Sequence, residues 1–216
     1  MKYKAVIFDL DGTLLDTIED LSDSMNVSLE KMGFPGHTTE SYKMFVGDGV
    51  RMLAQRALPQ DACSSENIDL CLRFMDKEYN MRLFEKTRPY EGIENLLDGL
   101  CSKNVKIAVL SNKLNQFTGT IIAKLLPNWK FEVVFGERPG IPKKPDPSGA
   151  IEIAEIMGIS PENILYLGDT SIDMKTANSA GMHSVGATWG FRSREELLSS
   201  GAKAIIDAPL ELLDLL

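Results

Sequence analysis

Val6-Ile7-Phe8-Asp9-Leu10-Asp11-Gly12-Thr13 decides how this 216-residue chain is read. The apolar run from Ala5 to Phe8 is too short for a helix and suits a buried strand. It ends in two carboxylates at i and i+2. On a strand those positions share a side, so Asp9 and Asp11 can face one reacting group. Asp-Gly supplies a sharp turn, and the Gly12-Thr13 loop lets backbone N–H groups approach an anion. Two acids above an anion-binding loop repel each other and any anionic ligand. A divalent cation offsets that repulsion, so the pattern points to a Mg²⁺-assisted site for a phosphorylated molecule.

The composition narrows the field. A net charge of −8 argues against nucleic acid or an anionic membrane surface as a partner. It leaves a small phosphorylated metabolite open, because a metal and a few placed cations can reverse the local field. No apolar run approaches the roughly 20 residues that a membrane helix needs. Met1-Lys2-Tyr3-Lys4 leads straight into the first strand without a signal-peptide pattern. Cys63, Cys71 and Cys101 form no C-x-x-C pair and read as reduced thiols. A cytoplasmic protein, monomeric or homodimeric, is expected. With only His37 and His183 present, a three-histidine metal site is disfavoured. Both histidines are expected to be solvated surface groups.

Beyond the first strand, Asp16 to Glu85 reads as helical throughout. Asp16-Thr17 offers a cap, and Ile18, Leu21, Met25, Leu29 and Met32 recur at helical spacing up to Gly33. Further helices are expected from Thr38 or Thr39 to Phe45, from Val50 to Leu58, and around Ile68, Leu72, Met75 and Tyr79. From Arg88 the pattern changes to alternation. Strands are expected at 106–111, 131–135, 164–167, 184–188 and 204–206, with helices between them. One of these is capped by Asp146 with Pro147 at its first position, and another carries a capping box, Ser193-x-x-Glu196. Such alternation means an α/β protein: a parallel-sheet, Rossmann-like core with helices on both faces. The helical block interrupts it, giving a core of residues 1–15 and 86–216 and an inserted cap domain of residues 16–85.

Three more polar clusters follow expected strands. Ser111 and Asn112 present a hydroxyl and adjacent backbone N–H to a phosphate oxygen. In Pro142-Lys143-Lys144-Pro145 the prolines stiffen the loop, and a fixed ammonium there can offset a nucleophile and a phosphoryl group together. Asp169 and Asp173 are spaced to serve one metal, the first directly and the second by orienting a ligand. Each has a plain structural reading too: a helix cap, two surface lysines, an acidic helix N-terminus. Their shared position past the carboxyl ends of strands, where open parallel sheets bind ligands, outweighs those readings.

Asp-Leu-Asp-Gly-Thr-Leu, Ser111, Lys144-Pro145 and Gly168-Asp169 through Asp173 resemble, in order, the four motifs of the haloacid dehalogenase superfamily in its phosphatase branch. The resemblance implies that Asp9 is the nucleophile and Asp11 the general acid and base. It implies Lys144 as the charge-balancing cation, with Mg²⁺ held by Asp9, Asp11, Asp169 and Asp173. The dehalogenase branch lacks the second acid, so Asp11 points to phosphoryl transfer. A carboxylate nucleophile needs no activating base, since its usual pKa of about 3.9 leaves it ionised at neutral pH. The helical block is similar to the cap such phosphatases carry after the first motif.

Val46-Gly47-x-Gly49, Arg56-Ala57-Leu58, Ser111-Asn112-Lys113 and Gly190-Phe191-Arg192-Ser193 resemble phosphoglycolate phosphatases. Where many of those carry asparagine, this chain has Asp48, which would repel a substrate carboxylate if it faced the site. The cap turn with Gly47, Asp48, Gly49 and Arg51 is expected to read the leaving group. Rival readings are a phosphosugar mutase, a pyrophosphatase or nucleotidase, and, from a different class, a non-catalytic phosphate-sensing domain.

Overall fold

The structure is a computed structural model and describes residues 2–216. The chain forms two compact units: Asp16–Arg88, and a larger one made from the segments on either side of it.

The larger unit is built on a six-stranded parallel sheet. Its strands are β1 (Ala5–Phe8), β4 (Lys106–Leu114), β5 (Val133–Glu137), β6 (Ile164–Gly168), β7 (His183–Ala187) and β8 (Ala204–Ile206). Their order across the sheet is β5-β4-β1-β6-β7-β8. β1 therefore lies between β4 and β6, with Ala5 opposite Lys106 on one side and Ile164 on the other. Strand order reverses at β1, which makes its carboxyl end the crevice where such sheets take ligands. The two-residue strands β2 (Leu15–Asp16) and β3 (Arg88–Pro89) pair where the chain passes between the units.

The helices of this unit are α5 (Ile93–Ser102), α6 (Asn115–Leu125), α7 (Ser148–Met157), α8 (Ser171–Ser179) and α9 (Arg194–Ser199). They cover both faces of the sheet, as the alternating pattern predicts. Ala5 and Ile7 of β1, Ala108 and Leu110 of β4, and Ile164 and Tyr166 of β6 join Ile153 and Met157 of α7 and Ala177 of α8 in one core. Val6 and Phe8 point the other way and are equally buried. A strand buried on both faces cannot show apolar–polar alternation, so its continuous apolar run is what a central parallel strand requires.

Three local readings are corrected. β4 runs to Leu114 rather than stopping at Ser111. Pro147 stands at the cap position of α7 rather than inside the helix, while Asp146 accepts from the Ser148 N–H (2.9 Å). His183 packs against the Tyr3 ring and is not a free surface group.

The smaller unit holds α1 (Ile18–Lys31), α2 (Thr39–Phe45), α3 (Val50–Ala57) and α4 (Ser65–Arg82). Met25, Leu29, Tyr42, Leu53, Cys71, Met75 and Tyr79 form its interior. His37 is half-buried rather than a free surface group: its ring meets Tyr42 and Phe45 edge-on and bonds to the Ala57 carbonyl (2.8 Å). Thr17 precedes α1 without capping it by its side chain. Buried Asp20 instead accepts the N–H groups of Lys86 and Thr87 and the Thr87 hydroxyl. Those three donors to one carboxylate offset the cost of burying it.

Candidate active site

β1 delivers Asp9 to the carboxyl edge of the sheet, β6 delivers Asp169, and the first turn of α8 delivers Asp173. Carboxylate oxygens of these three lie within 4.8 Å of one another, and all three side chains are buried. Lys144 reaches the same place from the loop before α7. Its ammonium sits 2.8 Å from Asp9 Oδ1 and 2.7 Å from Asp173 Oδ1. The lysine is itself held from behind. The Asn112 side chain accepts from the Lys144 N–H (2.9 Å) and donates to the Lys144 carbonyl (3.0 Å).

Asp173 settles a choice the sequence left open between a helix cap and a site residue, because it is placed for both. Its Oδ2 accepts from the Thr170 N–H (3.1 Å) and hydroxyl (2.6 Å), closing a capping box at the start of α8, while Oδ1 faces Lys144. Asp169 is fixed at both oxygens, by the Thr13 hydroxyl (2.9 Å) and the Phe191 N–H (2.8 Å). Gly12 adopts φ 87°, and a Cβ there would lie 2.3 Å from Asp169 Oδ2. Only glycine meets both demands.

Three buried carboxylates against one ammonium leave the centre short of positive charge. The electrostatics register this. Burial, then the neighbouring Asp173, push the Asp9 carboxyl well above the usual carboxylate range despite the contact with Lys144. Burial and Asp173 likewise push Asp169 up to about 7, against the Phe191 N–H and Thr13 hydroxyl that lower it. Burial disfavours the charged form of Lys144, but Asp173 and Asp9 outweigh it and hold the ammonium well above the ordinary lysine value. An all-oxygen donor set with excess negative charge fits a hard divalent cation.

The fourth acid expected to serve the metal is placed differently. The Asp11 carboxylate lies outside the three-acid cluster, and Lys113 Nζ holds both of its oxygens, at 2.9 and 3.1 Å. Lys113 carries part of the Ser111-Asn112-Lys113 resemblance, but no role was expected of it. Its signal was the continuation of β4 beyond Ser111, which carries Lys113 to the same sheet edge. Ser111 is buried beside it and accepts the Lys113 N–H (3.2 Å). The Gly190-Phe191 stretch was noted only for the resemblance it carries, not for a contact with the site; besides Phe191, the neighbouring Trp189 donates to the Thr13 carbonyl (3.0 Å).

Within the smaller unit, Gly47 and Gly49 take positive φ (128° and 86°) and turn the chain between α2 and α3. Asp48 is paired with Arg56 at 2.5 Å, and Arg56 also donates to the Phe45 carbonyl. Arg51 pairs with Asp69 (2.6 Å) on the exposed surface of that unit.

Residues 6–187 match the sequence profile of the haloacid dehalogenase-like hydrolases. The chain belongs to that family. It is 31% identical to the phosphoglycolate phosphatase of Aquifex aeolicus, over 87% of this chain and 86% of the relative. It is 31% identical to that of Nitrosospira multiformis, over 96% and 93%. A crystal structure of a candidate phosphoglycolate phosphatase from Lactobacillus delbrueckii subsp. bulgaricus superposes with a TM-score of 0.93 at 32% identity, covering 100% of this chain and 98% of that one. The chain is therefore an enzyme of the family's phosphatase kind. Among the described residues no helix is long and apolar enough to cross a membrane.

Proposed function

We propose that the protein is a Mg²⁺-dependent phosphatase that hydrolyses a small phosphorylated metabolite, of the phosphoglycolate kind, through an aspartyl-phosphate on Asp9. The observation that carries this reading is the Lys144 ammonium set between Asp9 and Asp173 at the carboxyl end of the central strand. Asp9, Asp169 and Asp173 would hold the cation, with the Asp11 main chain as a further oxygen donor. When bound, Mg²⁺ supplies charge neutralisation between the nucleophile and the phosphoryl oxygens.

Asp9 attacks phosphorus in line, and the bond to the leaving oxygen breaks while Asp11 gives that oxygen its proton. In the second half Asp11 takes a proton from water, which displaces phosphate from Asp9. Lys144 balances the charge that accumulates on the phosphoryl group, and Gly12, Thr13, Ser111 and Asn112 supply the surrounding N–H and hydroxyl donors. These groups are occupied with phosphate and metal, so reading of the leaving group falls to the cap turn with Gly47, Asp48, Gly49 and Arg51. Arg56 already neutralises Asp48, which supports a carboxylate-bearing substrate better than a bare aspartate would.

A panel of small phosphate esters assayed for released phosphate tests the reading. Release should require Mg²⁺, stop on chelation, and vanish in Asp9→Asn together with any covalent phosphoenzyme. Full activity after exhaustive chelation, or in Asp9→Asn, refutes it.

A further inference from the structure

Two lysines divide three of the four acids at the head of the sheet. Lys144 takes Asp9 and Asp173, and Lys113 takes Asp11. Both ammonium groups are withdrawn from solvent, with side chains 3% and 5% exposed. A buried lysine is costly unless its charge is matched. Its presence at the end of β4 therefore calls for a reason that the phosphate and metal duties of the site do not supply.

The geometry of the contact gives one. Lys113 Nζ bonds both oxygens of Asp11, so the carboxylate is fixed in direction as well as in place. Among the described residues Lys113 alone bonds the Asp11 side chain, and a cation held by Asp9, Asp169 and Asp173 would attract that carboxylate if it were released. A proton-transfer group drawn onto a cation there is lost to the leaving oxygen, since it must lie within hydrogen-bond reach of the proton it moves. The lysine itself is anchored to the strand end, where its N–H bonds Ser111 Oγ (3.2 Å).

We infer that Lys113 is a positioning residue which keeps the Asp11 carboxylate clear of the metal-binding acids and aimed for proton transfer. This rests on the phosphatase reading above. Lys113 acts through Asp11 in both halves of the reaction: proton donation to the leaving oxygen, and proton removal from the attacking water.

The consequence is a specific kinetic pattern. For an aryl phosphate with a good leaving group, formation of the aspartyl-phosphate needs little protonation. Its kcat/KM should stay near the wild-type value in Lys113→Met, which also shows that the variant is folded. For an alkyl phosphate, kcat/KM should fall by about 10- to 100-fold, the scale of a misplaced catalytic group. Hydrolysis of the aspartyl-phosphate needs the base whatever the leaving group. The aryl substrate should therefore give a burst of released phenol followed by slow turnover, with phosphoenzyme accumulating. Lys113→Met in an Asp11→Asn background should cost no more than about twofold further, because the two residues act as one unit. If Lys113→Met is too unstable to assay, Lys113→Gln serves the same comparison.

Equal losses for aryl and alkyl substrates, absence of a burst, or additive losses in the double variant would overturn the inference while leaving the phosphatase reading intact. A wild-type protein that releases phosphate from no ester would overturn both.

Discussion

Removing the divalent cation should make the protein's stability depend on pH in a direction set by the buried acids. Asp169 has its carboxyl raised from 3.8 to about 7 in the folded state, chiefly by burial and then by Asp173. Between those values the folded protein holds a proton that the unfolded chain has released. The contribution is therefore whole below about 3.8 and is lost as pH rises through about 7. At about 1.4 kcal/mol for each tenfold in proton binding, that window is on the order of 4 kcal/mol for Asp169. Asp9 is raised by the same causes and pushes in the same direction. Of that window the part above pH 5 is about 3 kcal/mol, and for a chain of this length each kcal/mol moves the melting point by about 2–4 °C, so the metal-free protein should melt about 6–12 °C lower near pH 8 than near pH 5. A cation that occupies the three acids removes the penalty, and its stabilisation should grow with pH. The assay is a set of thermal melts at several pH values, with chelator and with millimolar Mg²⁺, following the transition of the larger unit. Asp169→Asn, which lacks the titrating group, should flatten the metal-free profile. A metal-free melting point that is level or rises over this range, or a Mg²⁺ effect independent of pH, would refute the reasoning.

Two further outcomes are expected. Gly12→Ala forces a side chain into positive φ and onto Asp169 Oδ2; the backbone cost alone is about 1–2 kcal/mol, and divalent-cation binding measured by calorimetry should weaken along with turnover. Asp48→Asn releases Arg56 from its pair; kcat/KM for carboxylate-bearing phosphates should rise by about three- to tenfold relative to a neutral aryl phosphate, and an unchanged ratio of the two substrates would remove the cap turn from specificity.

The sheet was legible because β1, β4 and β6 are buried on both faces and so carry continuous apolar runs whose ends are marked by polar clusters. The helices of the smaller unit were legible from spacing alone. What escaped was decided by side chains meeting across long sequence separation. Lys113 was legible only as part of Ser111-Asn112-Lys113, with no contact assigned to it, because the continuous apolar run of β4 ends at Leu110 while the strand does not. His37 follows a Pro-Gly turn and reads as exposed, yet two rings from α2 enclose it. Nor could spacing show that Thr13 and Asn112 would be turned inward, one to Asp169 and the other to the backbone of Lys144. Local pattern tells which residues arrive at a sheet edge. It carries no information on which of them pair once there.

The position of β1 also bears on how the molecule is made. The strand is synthesised before both of its neighbours, β4 and β6, and the residues that pair with Ala5 are Lys106 and Ile164. The helical unit, by contrast, is one unbroken stretch from Asp16 to Arg88. On the ribosome it can assemble as soon as Arg88 emerges, while β1 stays unpaired on its amino-terminal side. Pairing of such distant segments is slow, and exposed apolar strands are prone to aggregate meanwhile. With Ala5 to Phe8 only four residues long and flanked by charge at Lys4 and Asp9, that hazard is confined to a short window of sequence during translation.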